Sequence, residues 1–278
     1  MWLPPSTLVP MAKRGFIDSE GEEVYFECWG DAGDAVVLGH GMGGSHAVWY
    51  QQVASLAQSH RVITWDQRGF GRSTSRTGNL GPVPSVGDLE SLLNHLEIRE
   101  CHVVGQSMGG WPALGFAIDH PERVISLVLA DSTAGIFTPQ ILRTLDDYGR
   151  TSAASDPTDQ WPLGHHPAVG SQLLDEDLAH SFLYSQMGSL TDPPSPAAII
   201  PLLMATDHTK RALEVNSPTL FVVGEHDPIF PPALIESAAG FISRSEVAVV
   251  EDTGHSPYFE RPKRWNDLVG DFLRQSSP

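Results

Sequence analysis

The apolar run Cys101-His102-Val103-Val104 passes directly into Gly105-Gln106-Ser107-Met108-Gly109, and helical spacing follows to His120. A serine held between a strand and a helix, with glycine two places to either side, fits a very tight turn. The serine backbone is strained there, and side chains two residues away would collide. The turn lifts the serine hydroxyl clear of the sheet. It also points the free N–H groups of the helix N-terminus at any anion that forms beside the serine. A chain carrying this feature needs a strand that feeds a helix, which restricts it to α/β architectures.

The rest of the chain agrees with that restriction. Short β-rich runs, Val24–Trp29, Ala35–Leu38, Arg61–Trp65, Val124–Ala130, Thr219–Val223 and Val247–Val250, alternate with helix-period stretches. Trp49, Val53 and Leu56 share one helix face. Ser85 is placed to cap a second helix, with Asp88 three residues on and Val86, Leu89, Leu92, Leu93 and Leu96 behind it. Pro232–Gly240 starts with proline in its first turn, and Trp265, Leu268, Val269, Phe272 and Leu273 form a closing amphipathic helix. Continuous apolar strands alternating with helices predict a mainly parallel, doubly wound sheet covered on both faces. Residues 134–214 break the alternation. They are helix-like, interrupted by Pro157, Pro162, Pro167, Pro193, Pro194 and Pro196, and are read as a helical cap inserted into a core formed by 1–133 and 215–278. Residues 1–10 read as an irregular leader, with Met11 an alternative start.

Composition narrows the function classes. Seventeen Lys+Arg against 34 Asp+Glu give a formal charge of −17, and only Lys13, Lys210 and Lys263 are lysines. A duplex-binding protein needs cations to displace counterions, so neither nucleic acid nor an anionic membrane surface is an expected partner. No run of about 20 apolar residues is present to span a bilayer. The start Met1-Trp2-Leu3-Pro4-Pro5 lacks a basic region followed by an apolar core, so a cytoplasmic location is expected. Cys28 and Cys101 lie in apolar strand-like runs and read as buried free thiols. Metal-ligand spacings are absent; His165-His166 resembles a metal pair only superficially and is expected to be exposed. No cofactor is called for, and oligomeric state is not legible.

A serine hydroxyl needs a base, and histidine has the appropriate pKa. His255, in Asp252-Thr253-Gly254-His255-Ser256-Pro257, follows the last strand, where ligands bind at the carboxyl edge of a parallel sheet. The imidazole in turn needs an orienting carboxylate. Asp227, in Gly224-Glu225-His226-Asp227-Pro228-Ile229, is the favoured candidate, with Asp131 and Glu225 as rivals. The anion formed on acyl attack needs preorganised donors. Met108 N–H is one; Met42 N–H, in the loop His40-Gly41-Met42-Gly43-Gly44, is the other. His40 is expected to brace that loop. Gly41, Ile229 and Trp161 are the candidate substrate contacts, and Pro112 is expected to bend the helix after Ser107.

Together His40-Gly41, the loop Asp66-Gln67-Arg68-Gly69-Phe70-Gly71-Arg72-Ser73, Gly105–Gly110, Gly224–Asp227 and Gly254-His255 resemble the α/β-hydrolase superfamily in its capped form. The resemblance implies a Ser107–His255–Asp227 triad and a structural role for the Asp66–Ser73 loop. It extends to esterases, enol-lactonases, C–C-bond hydrolases and cofactor-free haloperoxidases. Relatives that are dehalogenases or epoxide hydrolases carry aspartate where Ser107 stands. Related C–C hydrolases carry tryptophan where Ser256 stands. Substrates of C–C hydrolases and enol-lactonases bear carboxylates, for which the cap offers only Arg143, Arg150, Lys210 and Arg211. The expected activity is therefore hydrolysis of a neutral small-molecule ester or lactone. A ligand receptor on the same fold is the non-enzymatic alternative.

Overall fold

The computed structural model describes residues 11–153, 162–190 and 192–277. The strands are β1 (Met11–Ser19), β2 (Glu22–Trp29), β3 (Ala35–Gly39), β4 (Arg61–Trp65), β5 (Cys101–Gln106), β6 (Val124–Ala130), β7 (Thr219–Gly224) and β8 (Ser245–Val250). The helices up to β6 are α1 (Tyr50–Leu56), α2 (Pro82–His95) and α3 (Gly110–Asp119). Between β6 and β7 come α4 (Pro139–Ala153), α5 (Ser171–Glu176), α6 (Leu178–Ser189) and α7 (Pro196–Ala205). The chain closes with α8 (Pro232–Ala239), α9 (Pro257–Glu260) and α10 (Pro262–Ser276).

One eight-stranded sheet runs β1-β2-β4-β3-β5-β6-β7-β8. From β4 to β8 neighbouring strands are parallel, and β1 and β2 add antiparallel pairs at one edge. The expected doubly wound α/β sheet is present. The β1–β2 hairpin was not expected, because β1 reads MAKRGFIDS and mixes charge with few apolar residues, as an edge strand does. Alternate residues of the inner strands supply two separate cores. Val37, Ile63, Val103, Leu127, Leu129, Phe221 and Val223 pack with α2, α3 and α8. Val36, Leu38, Val62, Val104, Val128, Leu220 and Val222 pack with Trp49, Tyr258, Phe259 and Trp265 on the other face. Cys28 and Cys101 are free and buried, and burial pushes the Cys101 thiol up to about 12.

Strand order reverses direction between β3 and β5, so the loops after these two strands diverge and leave a crevice at their carboxyl ends. Among the described residues, the segment between β6 and β7 holds four α-helices, a 3-10 turn (Arg211–Glu214) and no strand. Its two ends are tied together: His208 N–H donates to Gly135 O (2.8 Å) and Phe137 N–H to Thr209 Oγ1 (2.7 Å). Trp111 Nε1 of α3 donates to Leu203 O of α7 at 3.1 Å and fastens the insertion to the core.

The reading of Ser85 and Asp88 as a capping pair is corrected. α2 begins at Pro82, and prolines at its start lose no hydrogen bond. Ser85 lies inside the first turn and donates to Gly81 O. Asp88 is fully buried and accepts Arg68 Nε at 2.7 Å and Nη2 at 2.6 Å, Arg68 being 1% exposed. This bidentate pair fixes the Asp66–Ser73 loop against α2. Asp88→Ala removes the bidentate partner of a buried guanidinium, leaving it Glu20 Oε2 at 3.5 Å and Asn79 O at 3.3 Å, and should cost up to about 3–5 kcal/mol in denaturant unfolding. An Arg68→Met/Asp88→Leu double variant should lose less than Asp88→Ala. Equal losses would show that packing, not the uncompensated charge, sets the cost.

Candidate active site

Ser107 has φ of 49°, the left-handed region that costs an L-residue strain. Close packing enforces it. A Cβ on Gly105 would stand 2.3 Å from Gly109 O, and one on Gly109 would stand 2.5 Å from Gly39 O and 2.7 Å from His40 O. Glycine at both places lets β5, the turn and the loop after β3 touch. A 3-10 turn, Ser107–Gly109, leads into α3. Pro112 is the third residue of α3 and, with the 3-10 turn that leads into it, the fifth from Met108, so its lack of an N–H falls just beyond the first four donors of the helical segment.

The structure brings Ser107, His255 and Asp227 together. His255 Nε2 lies 2.9 Å from Ser107 Oγ, and His255 Nδ1 lies 2.8 Å from Asp227 Oδ2. Asp227 Oδ1 accepts the N–H groups of Ile229 (2.8 Å) and Phe230 (3.0 Å), which hold the carboxylate in place. Gln106 Nε2 donates to His255 O at 3.0 Å. A carboxylate at Nδ1 keeps the proton on that nitrogen and leaves Nε2 free to accept the Ser107 proton. Of the two rival acids, Glu225 is exposed and accepts Asp252 N–H. Asp131 is fully buried, and its Oδ1 accepts Gly224 N–H at 2.9 Å.

The loop after β3 is built as a brace. His40 Nδ1 donates to Gly41 O at 2.7 Å, its Nε2 accepts Gln67 N–H at 3.1 Å, and Gln67 Nε2 donates to His40 O. Burial holds the His40 pKa below its ordinary value, so the ring is neutral. Behind it, Asp66 accepts His46 Nδ1 and the N–H groups of His46 and Arg72. Burial raises the Asp66 pKa, but His46 outweighs it and the net direction is down.

A small cavity of about 80 Å3 lies over Ser107. Met42, Gly43, Gly44, Val48, Gln106, Ser107 and His255 line it from the core, and His166, Ala168, Tyr184 and Gly188 from the insertion. Met42 is therefore at the cavity wall. Met108 is buried, following Ser107 in the 3-10 turn, with its N–H among the unpaired first-turn donors. Gly41 packs against Gln106 and Ser107 and is not at the cavity wall. Nor is Ile229, whose N–H instead serves Asp227. Trp161 lies outside the described residues. Among the described residues, no lysine or arginine lines the cavity. Arg150 pairs with Asp146 and Asp147, Arg211 with Asp119, and Arg143 is exposed.

Sequence reasoning placed His166 at the surface, but the ring is part of the cavity wall. Nothing local marks it, because residues of α6 and the His255 loop create its surroundings. Its Nδ1 accepts Ala168 N–H at 3.1 Å, which puts the proton on Nε2, and its ring meets Tyr184 edge-on at 4.8 Å. Tyr184 OH accepts Ser256 Oγ at 2.9 Å. Glu260 ties the insertion to the histidine loop. Its carboxylate accepts Gly170 N–H (2.9 Å), Gly254 N–H (3.0 Å) and Ser256 N–H (3.2 Å). Among the described residues, two clusters have metal-ligand atoms within 4.8 Å: Asp131–Asp227–His255 and the exposed Glu225–His226–Asp252. In the first, both imidazole nitrogens are already engaged within the chain.

Residues 34–262 match the family model of the alpha/beta hydrolase fold, and the chain belongs to that family. It is 29% identical to a putative carbamate hydrolase, RutD, of Variovorax paradoxus, over 92% of this chain and 98% of the relative. It is 28% identical to 3-oxoadipate enol-lactonase 1 of Acinetobacter baylyi, over 86% and 88% of the two chains. Among solved structures it is similar to a thermophilic esterase from Thermogutta terrifontis, with a TM-score of 0.79, 28% identity, and coverage of 96% of this chain and 100% of that one.

The neutral state of His166 has a measurable consequence. Burial, with His165 and His255 as like charges, pushes its pKa down to about 4 from 6.5. Between those values the unfolded chain binds a proton that the folded chain excludes, so this contribution to stability is lost as pH falls from 6.5 toward 4. His166→Asn keeps an acceptor for Ala168 N–H and cannot titrate. Urea unfolding should therefore show a smaller stability loss between pH 6.5 and 4 in the variant, by about 1–2 kcal/mol after allowance for partial solvent access. An unchanged difference would place a protonated His166 in the folded protein.

Proposed function

We propose that this chain is a serine hydrolase of small, neutral carboxylic esters or lactones. The observation that carries the reading is the continuous chain Ser107 Oγ–His255 Nε2 and His255 Nδ1–Asp227 Oδ2, at 2.9 and 2.8 Å. Ser107 Oγ attacks the carbonyl carbon while His255 Nε2 takes the hydroxyl proton. The oxyanion receives Met42 N–H and Met108 N–H. Collapse expels the alcohol, which takes the proton from His255 and leaves the acyl group on Ser107. Water, deprotonated by His255, then releases the acid, and Asp227 keeps the imidazole oriented throughout. In a lactone the expelled alcohol stays attached to the acyl group.

Size and charge of the cavity support the substrate class. About 80 Å3 suits a short acyl or alcohol group, and among the described residues no lysine or arginine lines the cavity to meet an anionic one. The formal charge of −17 adds a field that repels anions. The relatives named above are described by carbamate, enol-lactone and ester chemistry, and each of those reactions breaks a bond at a carbonyl carbon.

The test compares p-nitrophenyl butyrate with the matched mono-p-nitrophenyl succinate. The neutral ester should show kcat/KM higher by about tenfold at low salt, and the gap should narrow as salt screens the field beyond about 8 Å. A succinyl ester preferred by tenfold or more would overturn the neutral-substrate reading. It would turn attention to Arg143, Arg150 or Arg211.

A further inference from the structure

Behind Asp227 lies a second carboxyl group that the mechanism above does not use. Asp131 directly follows β6 with φ of 48°, is fully buried, and has an oxygen within 4.8 Å of the ligand atoms of Asp227 and His255. Its titratable surroundings are Asp227 and His255 on neighbouring loops, Glu260 and Tyr258 of α9, and Tyr184 of α6. Among the described residues no lysine or arginine pairs with Asp131 or Asp227, and His255 is the only basic partner of Asp227. Two buried carboxylates this close do not both ionise.

Hydrogen bonding decides which one keeps the charge. Asp227 receives three donors: Ile229 N–H, Phe230 N–H and His255 Nδ1–H. Asp131 receives one, Gly224 N–H at Oδ1, and its buried Oδ2 receives no donor. An oxygen that carries a proton needs no donor, whereas a buried carboxylate oxygen without one is costly.

We propose that Asp131 is held as the neutral acid and acts as a positioning residue, directing its carboxyl proton toward the Asp227 carboxylate and so moderating the charge that Asp227 presents to His255. Burial first, and the charge of Asp227 second, raise the Asp131 pKa well above the usual carboxylate range, in keeping with this placement of the proton. The pair titrates as a unit. The left-handed backbone at Asp131 is one that asparagine also tolerates, so Asp131→Asn preserves shape and supplies an N–H donor in place of O–H.

The functional consequence rests on the reading of Ser107, His255 and Asp227 as the reacting set, and the test separates the two. In Asp131→Asn the acidic limb of kcat/KM, set by His255, should stay within about 0.3 pH unit of wild type, because one neutral donor replaces another. In Asp131→Gly, which relieves the backbone and removes the donor, the limb should move up, since an unmoderated Asp227 holds the imidazolium more strongly. An ionised Asp131 gives the opposite result: Asp131→Asn would delete a negative charge and lower the limb by about one pH unit, overturning the proposal. Infrared spectroscopy supplies an arm that needs no turnover. The C=O stretch of a buried protonated carboxyl should be present in the wild-type protein at neutral pH and absent in Asp131→Asn. Loss of the ester reading with that band intact leaves the proton on Asp131; absence of the band from wild type refutes it.

Discussion

Backbone contact without side chains is the constraint on which this site depends. The turn at Ser107 exists because Gly105 and Gly109 admit the carbonyls of Gly109, Gly39 and His40 where a Cβ would stand. The same device recurs two strands away, where a Cβ on Gly224 would lie 1.8 Å from Gly254 O. The loops after β3, β5, β7 and β8 are therefore packed against one another at the carboxyl edge of the sheet, and the hydrogen bonds of Ser107, His255 and Asp227 span that packing. A strained serine persists only because the surrounding backbone over-determines it.

The second organising theme is the management of buried charge. Arg68 and Asp88 are taken out of water as a bidentate pair that anchors the loop behind His40. Asp227 is surrounded by donors, and Glu260 gathers three backbone N–H groups that join Gly170 of the insertion to Gly254 and Ser256. His40 and His166 are kept neutral by burial. In each case a polar group inside the fold is positioned by its partners, as the cost of leaving it unpaired requires. The outcome is a small cavity of mixed polar and apolar lining that, among the described residues, has no lysine or arginine on its wall.

Much of this was legible in the sequence wherever the signal is local. Ser107 between strand and helix, His255 after the last strand and Asp227 after the one before it can be read without coordinates, because the sheet's topology carries each to the same edge. The parallel core was legible because its inner strands are apolar on both faces. What failed to show is what tertiary contact creates. β1 is an edge strand with polar residues, so its alternation is weak. Ser85 and Asp88 have the spacing of a capping pair, but a buried arginine from a distant loop claims the carboxylate. His166 carries no local mark of burial, and Ile229 contributes its N–H where a pocket wall was expected. Asp131 is visible as an acid after β6, but its donor-free oxygen beside Asp227 is visible only in three dimensions.

The central claim is covalent chemistry at Ser107, and trapping the intermediate tests it most directly. The protein is mixed with p-nitrophenyl butyrate, quenched in acid during turnover and digested, and the peptide containing Gly105–Gly109 is examined by mass spectrometry. The account predicts a butanoyl group on Ser107 in the wild-type protein, formed with a burst of p-nitrophenol, and neither acyl group nor burst in Ser107→Ala. Undiminished turnover in Ser107→Ala, or an acyl group mapped to another residue, would contradict it.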